Sequence, residues 1–373
     1  MIIKNVLVFT EEKTFKEGDI FIENGLFSET ASDDVVIDGK GCYAIPGLVD
    51  VHFHGCMGAD FCDGSQEAIA EIAEYEASQG ITTIVPATMT LSEEELTKIM
   101  KNAGAYKSET GAVLAGINME GPFINVAKKG AQAADHIRKP DIEMFRRLQE
   151  ASGGLIRLCD IAPEEDGSME FIEALKDEVH ISFAHTNADY ATAKKGYDLG
   201  ACHATHLYNA MPPFGHRDPG VIGAACDSEH VYVELICDGI HIHPSVVRTT
   251  FKMFGDDRIV MISDSMRATG LSDGEYTLGG QAVKVVGKLA TLVSDGAIAG
   301  SCTNLMDCIR TAVKEMGIPL ESAVACATMN AAKSVGIYDQ YGSITNGKAG
   351  NVILLNKDLS LESVIINGNV LNI

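Results

Sequence analysis

LVDVHFHG, residues 48–55, is the stretch on which the fold turns. An apolar run leads into the pair His52-x-His54 and stops at a glycine. In an extended segment residues i and i+2 point to the same side, so the two imidazoles face one way at the run's C-terminal end. Seven further runs have the same form: TTIVPATM (82–89), AGINMEGPF (115–123), IRLCDIAPE (156–164), ISFAHTNA (181–188), ACHATHLYNA (201–210), VYVELICDGI (231–240) and IVMISDSM (259–266). Helical patterns separate most of them, among them SQEAIAEIAEYEASQG, SEEELTKIMKNAGAY and NADYATAKKGYDLG; the segment between the sixth and seventh runs is weaker. Strand–helix alternation repeated eight times predicts an α/β protein built as a (β/α)8 TIM barrel. An open doubly wound sheet has the same alternation. No G-x-G-x-x-G or Walker-type loop follows any run, which removes the usual nucleotide-binding reading.

Outside these runs the pattern changes. Residues 1–46 read as short strands, IIKNVLVFT, DIFIENGLFSE and VVIDGKGCYAI, with turns expected at Glu17-Gly18 and Asn24-Gly25. The C-terminal stretch NVILLNKDLSLESVIINGNVL returns to that style. The expectation is one small β-sandwich from both termini, residues 1–46 and 341–373, flanking a barrel over 47–340, with boundaries near Pro46 and Tyr341. Residues 269–300 are Gly-rich with short alternating stretches. They predict a hairpin-containing insertion over the C-terminal face, where a lid would lie.

Composition narrows the function. Apolar residues make up 46% and charged residues 22%, and the formal net charge is −23. A nucleic-acid or anionic-membrane partner needs a positive footprint, so neither is expected. The field also repels anionic substrates, which local basic residues must overcome. Ten cysteines occur without a C-x-x-C pair, several inside apolar runs; they read as reduced core thiols of a cytoplasmic protein. The N-terminus reads as a strand and not a signal peptide, and no uncharged apolar run reaches the roughly 18 residues of a membrane span.

The run ends carry the chemistry. One H-x-H is weak evidence, because hydrogen-bonded histidine pairs are common. Yet Glu120 ends the third run, His185 the fifth, His206 the sixth and Asp264 the eighth. A barrel gathers these ends into one ring. Burying so many ionisable groups is costly unless they coordinate a metal or one another. His52, His54, Glu120, His185, His206 and Asp264 are therefore the predicted metal set, with Glu120 placed to bridge two ions. Imidazole and carboxylate donors without thiolate suit zinc, and also iron, manganese, cobalt or nickel. Such a metal activates water, and Asp264 is placed to orient that water, take its proton and return it to a leaving group.

Other histidines and cations are assigned by position. His241, in DGIHIHP, is read as a substrate contact, and His243, just before a helix, as structural. His203 lies three residues from His206 and is expected to face the outer helices. Arg217 shares the loop HLYNAMPPFGHRDPG (206–220) with Asn209 and Ala210, and is a candidate clamp for an anionic group. Lys128 and Lys129 are read as solvated.

The segments PGLVDVHFHG, NMEGPFIN…KKGAQ, AHTNADYATAKKGYDLGACHATHLYNAMPPFGHRDPG, DGIHIHP, ISDSM and AGSCTNLMDCIRTAVKEMG closely resemble the N-acetylglucosamine-6-phosphate deacetylases, an amidohydrolase group, from Pro46 to the C-terminal β segment. The resemblance implies release of acetate from an N-acetylated amino-sugar 6-phosphate. It implies Glu120, His185 and His206 as metal ligands and Asp264 as acid/base. It implies Asn209, Ala210, Arg217 and His241 as sugar-phosphate contacts, with Ala131 and the Ile298, Ala299, Gly300 stretch contributing backbone. It also implies a homodimer in which Arg217 reaches the neighbouring active site. Some members lack the H-x-H pair and polarise the substrate carbonyl with a histidine in the loop matching 131–132. Here Ala131-Gln132 stands there and both His52 and His54 are present, which implies a second metal position. The rival readings are N-acetylgalactosamine 6-phosphate as substrate, a dihydroorotase- or deaminase-like amidohydrolase, and a non-catalytic sugar-phosphate sensor. The second commonly uses a lysine on the fourth strand, where this chain has none; an intact Asp264 counts against the third.

Overall fold

The computed structural model describes residues 1–32, 35–108 and 110–371. All eight predicted runs form strands at or near the expected positions: Leu48–Asp50, Ile81–Ile84, Val113–Leu114 continuing as Ile117–Glu120, Ile156–Ile161, His180–Phe183, His203–Ala204, Tyr232–Ile236 and Ile259–Ile262. Every pairing among them is parallel. The third through eighth strands follow one another in a six-stranded sheet. The first two pair with Val113–Leu114 in a three-stranded one. A parallel bridge from Ala87 to Asn118 connects the two sheets. On the other side, just past the first and eighth strands, the Asp264 N–H donates to His52 O at 2.9 Å and the His54 N–H to Ser265 O at 2.7 Å. The fold is α/β, with helices between successive strands.

Helix starts follow local chemistry. Ser65 caps Gln66–Ser78 by accepting from Ala68 N, and Asp189 caps Tyr190–Leu199 through Thr192 N. Ser92 and Glu95 form a reciprocal capping box at the start of Glu93–Ala105. The weak segment between the sixth and seventh strands forms only a short helix, Gly220–Cys226. The strands are buried on both faces, as parallel strands between two packed layers must be: Ile81–Ile84, Ile117–Glu120 and Ile259–Ile262 are buried throughout.

Both termini contribute to one eight-stranded sheet. Within it Tyr43–Pro46 runs parallel to Ile2–Phe9 and antiparallel to Val352–Leu355. The sheet folds back on itself, since Gly350 N donates to Gly25 O and Phe27 N to Lys348 O. The Asn24-Gly25 turn forms as expected, with both residues at positive φ, 52° and 79°, the hairpin geometry that Asn-Gly favours. Glu17-Gly18 is not a turn. It lies within Phe15–Glu23, and the chain reverses earlier, where Thr10 N donates to Thr14 O. Gly18 instead pairs with Val6, beside the irregularity between Ile3 and Val6 on the partner strand, so this glycine marks a bulge.

Residues 269–300 form the expected insertion, a three-stranded antiparallel meander of Gly274–Leu278, Gln281–Val286 and Leu289–Leu292. It has its own small core, Leu278, Val283, Val285, Ala290 and Leu292, packed on Met89 and Met266. Gln281 Nε2 donates to Ala131 O, which ties the meander to the loop after the third strand. No described helix is long and apolar enough to cross a membrane.

The terminal sheet docks through Phe9, Ile45, Ile353 and Leu355, which share one apolar cluster with Leu48 and Ile81 of the parallel strands. Leu355 is fully buried there. Leu355→Ala opens a cavity at this junction and is expected to cost about 2–5 kcal/mol in equilibrium denaturant unfolding. An unchanged midpoint would show that the two sheets do not depend on each other.

Candidate metal centre and active site

The predicted ligands converge. Glu120 is the last residue of its strand, and its side chain is almost fully buried. Glu120 Oε1 lies 2.9 Å from His185 Nε2 and 3.2 Å from His206 Nε2, and these two nitrogens are 3.3 Å apart. On the other side Glu120 Oε1 lies 3.6 Å from His52 Nε2, and Oε2 lies 3.5 Å from His54 Nε2. Two clusters result, His52–His54–Glu120 and Glu120–His185–His206, each with its donor atoms within 4.8 Å of one another. Glu120 belongs to both.

Second partners fix the ring orientations. His185 Nδ1 faces Lys128 O at 2.9 Å; a carbonyl only accepts, so Nδ1 carries the proton and Nε2 presents its lone pair. His52 Nδ1 lies 3.0 Å from Glu234 Oε2, with the same consequence for its Nε2. That Nε2 is buried and has no hydrogen-bond partner among the described residues. These are the features of ligands arranged around a cation. Four ligands about 2.0–2.1 Å from a tetrahedral centre stand roughly 3.3–3.4 Å apart, and the His185–His206 spacing agrees with that edge. Neither cluster includes a thiolate, so the donors suit zinc or another divalent first-row ion. The residues fit such a cation.

Asp264 adjoins the first cluster. Its Oδ1 lies 3.3 Å from His54 Nε2 and 3.9 Å from His52 Nε2. Burial pushes its carboxyl up, but the hydrogen bond from His54 and the nearby imidazoles push harder, and the net shift is downward, favouring the carboxylate. Glu120 behaves likewise: burial raises it, while His52, His185 and His206 hold it well below the ordinary range. The reverse applies to His52. Burial disfavours its positive charge, but Glu234 and Glu120 outweigh burial and raise it.

Local backbone shape aims these groups. His185, His206 and Asp264 have φ of 44°, 28° and 49°, a region that residues with a Cβ seldom occupy. Each sits just past a strand end, where the left-handed step breaks the alternation of the strand. The same step corrects the expectation for His203. On a continuous strand His203 and His206 would face opposite ways, but the strand ends at Ala204. His203 is instead fully buried on the inner side, its Nε2 3.1 Å from Glu234 Oε1.

A cavity of about 250 Å³ opens over the centre. His54, Glu120, His185, His206 and Asp264 line it, together with Ala131, Asn209, Ala210, His241, Ile298 and Gly300. Ala299 does not line it; its side chain packs in the small core of the insertion. Arg217 is exposed and lies outside the lining. His241 is held by Asp238, whose Oδ2 lies 2.7 Å from His241 Nδ1. His243 accepts from Ser245 N and caps Pro244–Phe254, the structural part assigned to it. Lys128 and Lys129 stay out of the lining, although Lys128 orients His185 through its carbonyl.

Three residues escaped the sequence reading. Gln132 is buried, donates to Glu120 Oε2 at 2.9 Å and accepts from Thr90 N at 2.7 Å. Asp238 orients His241. Glu234 supports His52 from the middle of VYVELICDGI, where a carboxylate in an apolar run was the available signal.

Comparison with known proteins agrees with this geometry. The amidohydrolase family profile matches residues 43–371. An N-acetylglucosamine-6-phosphate deacetylase from Bacillus subtilis (strain 168) is 37% identical over 383 residues, covering 99% of this chain and 96% of that protein. An N-acetylgalactosamine-6-phosphate deacetylase from Escherichia coli O157:H7 is 28% identical, with 97% of both chains covered. Among solved structures, an N-acetylglucosamine-6-phosphate deacetylase from Thermotoga maritima superposes with a TM-score of 0.90 at 30% identity, covering 99% of both chains. A Mycobacterium smegmatis N-acetyl-D-glucosamine-6-phosphate deacetylase variant, solved in complex with N-acetyl-D-glucosamine-6-phosphate, gives 0.91 at 29% identity, covering 99% of this chain and 98% of that one.

Because Glu120 is common to both clusters, its removal is expected to act on both. Elemental analysis of dialysed protein should show His52→Ala and His185→Ala each lowering bound metal in part, and Glu120→Ala removing nearly all of it. Wild-type metal content in Glu120→Ala would refute the shared-carboxylate arrangement.

Proposed function

The chain belongs to the amidohydrolase family, and on that premise we propose that it hydrolyses N-acetyl-D-glucosamine 6-phosphate to D-glucosamine 6-phosphate and acetate. The observation that carries this reading is a carboxylate, Asp264, standing at the floor of a small cavity beside two metal-binding clusters that share Glu120. The gluco substrate is preferred because the B. subtilis relative is 37% identical and the galacto relative 28%. The fourth strand, Ile156–Ile161, contains no lysine, unlike the dihydroorotase-like alternative.

The finer architecture belongs to the same proposal. The two parallel sheets are read as one closed (β/α)8 barrel over residues 47–340. Support comes from the Ala87–Asn118 bridge on one side and the His52–Asp264 and His54–Ser265 bonds on the other. The terminal sheet, residues 1–46 and 341–373, is read as a sandwich folded on itself. Ten unpaired cysteines agree with a reducing, cytoplasmic setting.

Roles follow from position. His52, His54 and Glu120 would hold one divalent cation and Glu120, His185 and His206 another, with Asp264 as a further ligand; zinc or iron is the first choice. The bound cations supply Lewis acidity, which polarises an amide carbonyl and brings the pKa of water towards about 7. Asp264, an acceptor held beside His54, takes the proton of the attacking water and returns it to the amine nitrogen as the C–N bond breaks. Asn209, His241 and the backbone of Ala131, Ala210, Ile298 and Gly300 orient the sugar; Ala299 contributes through backbone alone. Among the described residues of one chain no lysine or arginine lines the cavity, and the net charge of −23 opposes a phosphate. That supports a homodimer in which exposed Arg217 of a second copy clamps the phosphate.

Asp264→Asn is expected to lower kcat for acetate release about 10²–10⁴-fold while sugar-phosphate binding persists. Turnover at the wild-type rate would contradict the proton-transfer role. Arg217→Ala should raise KM for the phosphorylated substrate and leave the slow hydrolysis of unphosphorylated N-acetylglucosamine unchanged. An equal effect on both substrates would exclude a phosphate clamp.

A further inference from the structure

We propose that Glu234 is the positioning residue that keeps the two metal-binding clusters in register, through one carboxylate oxygen that serves a ligand of each. Glu234 stands in the strand Tyr232–Ile236, fully buried and outside the cavity lining, so it reaches neither substrate nor the reacting water. Its Oε2 lies 3.0 Å from His52 Nδ1, in the first cluster, and accepts from the backbone N–H of His206 at 2.9 Å, in the second.

Each contact has a separate consequence. The carboxylate accepts and cannot donate, so His52 carries its proton on Nδ1 and turns the Nε2 lone pair towards Glu120 and Asp264. At His206 the contact is to the main chain. That residue has a φ of 28°, and such a backbone persists only where its surroundings hold it. Glu234 holds it twice, because the next amide, Leu207 N, donates to Glu234 O at 2.9 Å. Together these bonds set the direction from which the His206 imidazole enters its cluster. The other carboxylate oxygen lies 3.1 Å from His203 Nε2, out of line for a hydrogen bond but close enough for attraction. This supplies the partner that a buried carboxylate requires beyond its two bonds. A buried ion pair serving stability alone would have no reason to divide one oxygen between two ligands of different clusters.

The inference rests on the reading that both clusters bind cations, and two measurements keep the readings apart. Full-length protein is stripped with a chelator and titrated with Co2+ while its visible spectrum is followed. Glu234→Met, which removes both acceptor oxygens from a side chain of similar length, is expected to weaken both binding phases about 10–100-fold relative to wild type and to alter the Co2+ spectrum. Weakening of one phase only, or of neither, overturns the proposal. The second readout needs no metal. In the stripped wild-type protein the His52 Nδ1–H is expected as a downfield imidazole proton in the NMR spectrum, identified by its absence in His52→Gln and lost in Glu234→Met. If it survives in Glu234→Met, Glu234 does not hold His52 and the proposal fails. Should Glu234→Met not fold, Glu234→Asp retains the charge but is shorter by one methylene and cannot reach both donors. It should lose affinity in at least one phase, and wild-type affinity in both overturns the proposal. A wild-type protein that takes up no cation defeats the two-cation reading itself, and the imidazole proton then still decides the contact with His52.

Discussion

Glu120 Oε1 stands within 2.9 Å of His185 Nε2, 3.2 Å of His206 Nε2 and 3.6 Å of His52 Nε2, at a place nearly closed to water. A carboxylate can be buried there only if positive charge answers it, because leaving a charge unpaired in the interior costs several kcal/mol. Glu234 and Asp264 impose the same demand from either side. Three carboxylates and four metal-facing imidazoles, contributed by six different strands, satisfy one another only in this arrangement. A divalent cation between them meets the demand more completely than imidazole protonation, since it acts on Glu120 from both clusters at once.

The parallel strands make this meeting possible. Parallel pairing brings all their C-terminal ends to one side, so residues far apart in the chain arrive together, as Asp264 does beside His54. The left-handed steps at His185, His206 and Asp264 then turn side chains that strand geometry would have pointed elsewhere. The insertion completes the enclosure. Its Leu278, Ile298 and Gly300 reach the cavity while Val283 and Val285 stay within its own core, and Gln281 fastens it to Ala131. Rigid ligands below and a separately folded cover above are what a site needs to hold a small polar substrate away from bulk water.

Much of this was legible in the sequence because it depends on periodicity and local chemistry. The eight apolar runs announced the eight strands, segments such as SQEAIAEIAEYEASQG and SEEELTKIMKNAGAY announced helices, and Asn24-Gly25 announced a turn. The converging set of imidazoles and carboxylates was legible because ionisable residues interrupt apolar runs at their ends. What escaped was decided by tertiary context. His203 faces inward because the sixth strand stops at Ala204, which spacing alone does not reveal. Gly18 answers an irregularity on its partner strand, so its meaning lies in residues 3–6. Glu234, Gln132 and Asp238 act on other side chains rather than on a cation or substrate; Glu234 and Gln132 do so across long stretches of chain, while Asp238 holds His241 only three residues on. Arg217 and Ala299, both singled out in the sequence, stand outside the cavity of one chain: the first is exposed, and the second has its side chain turned into the insertion.

The central claim is that buried carboxylates and imidazoles hold a cation on which amide hydrolysis depends. Acetate release from N-acetyl-D-glucosamine 6-phosphate by protein stripped with a chelator, measured before and after restoring a divalent cation, tests it most directly. The account predicts no turnover in the stripped protein and recovery on adding zinc or iron back. Undiminished turnover by metal-free protein, or none by the reloaded protein, would contradict it.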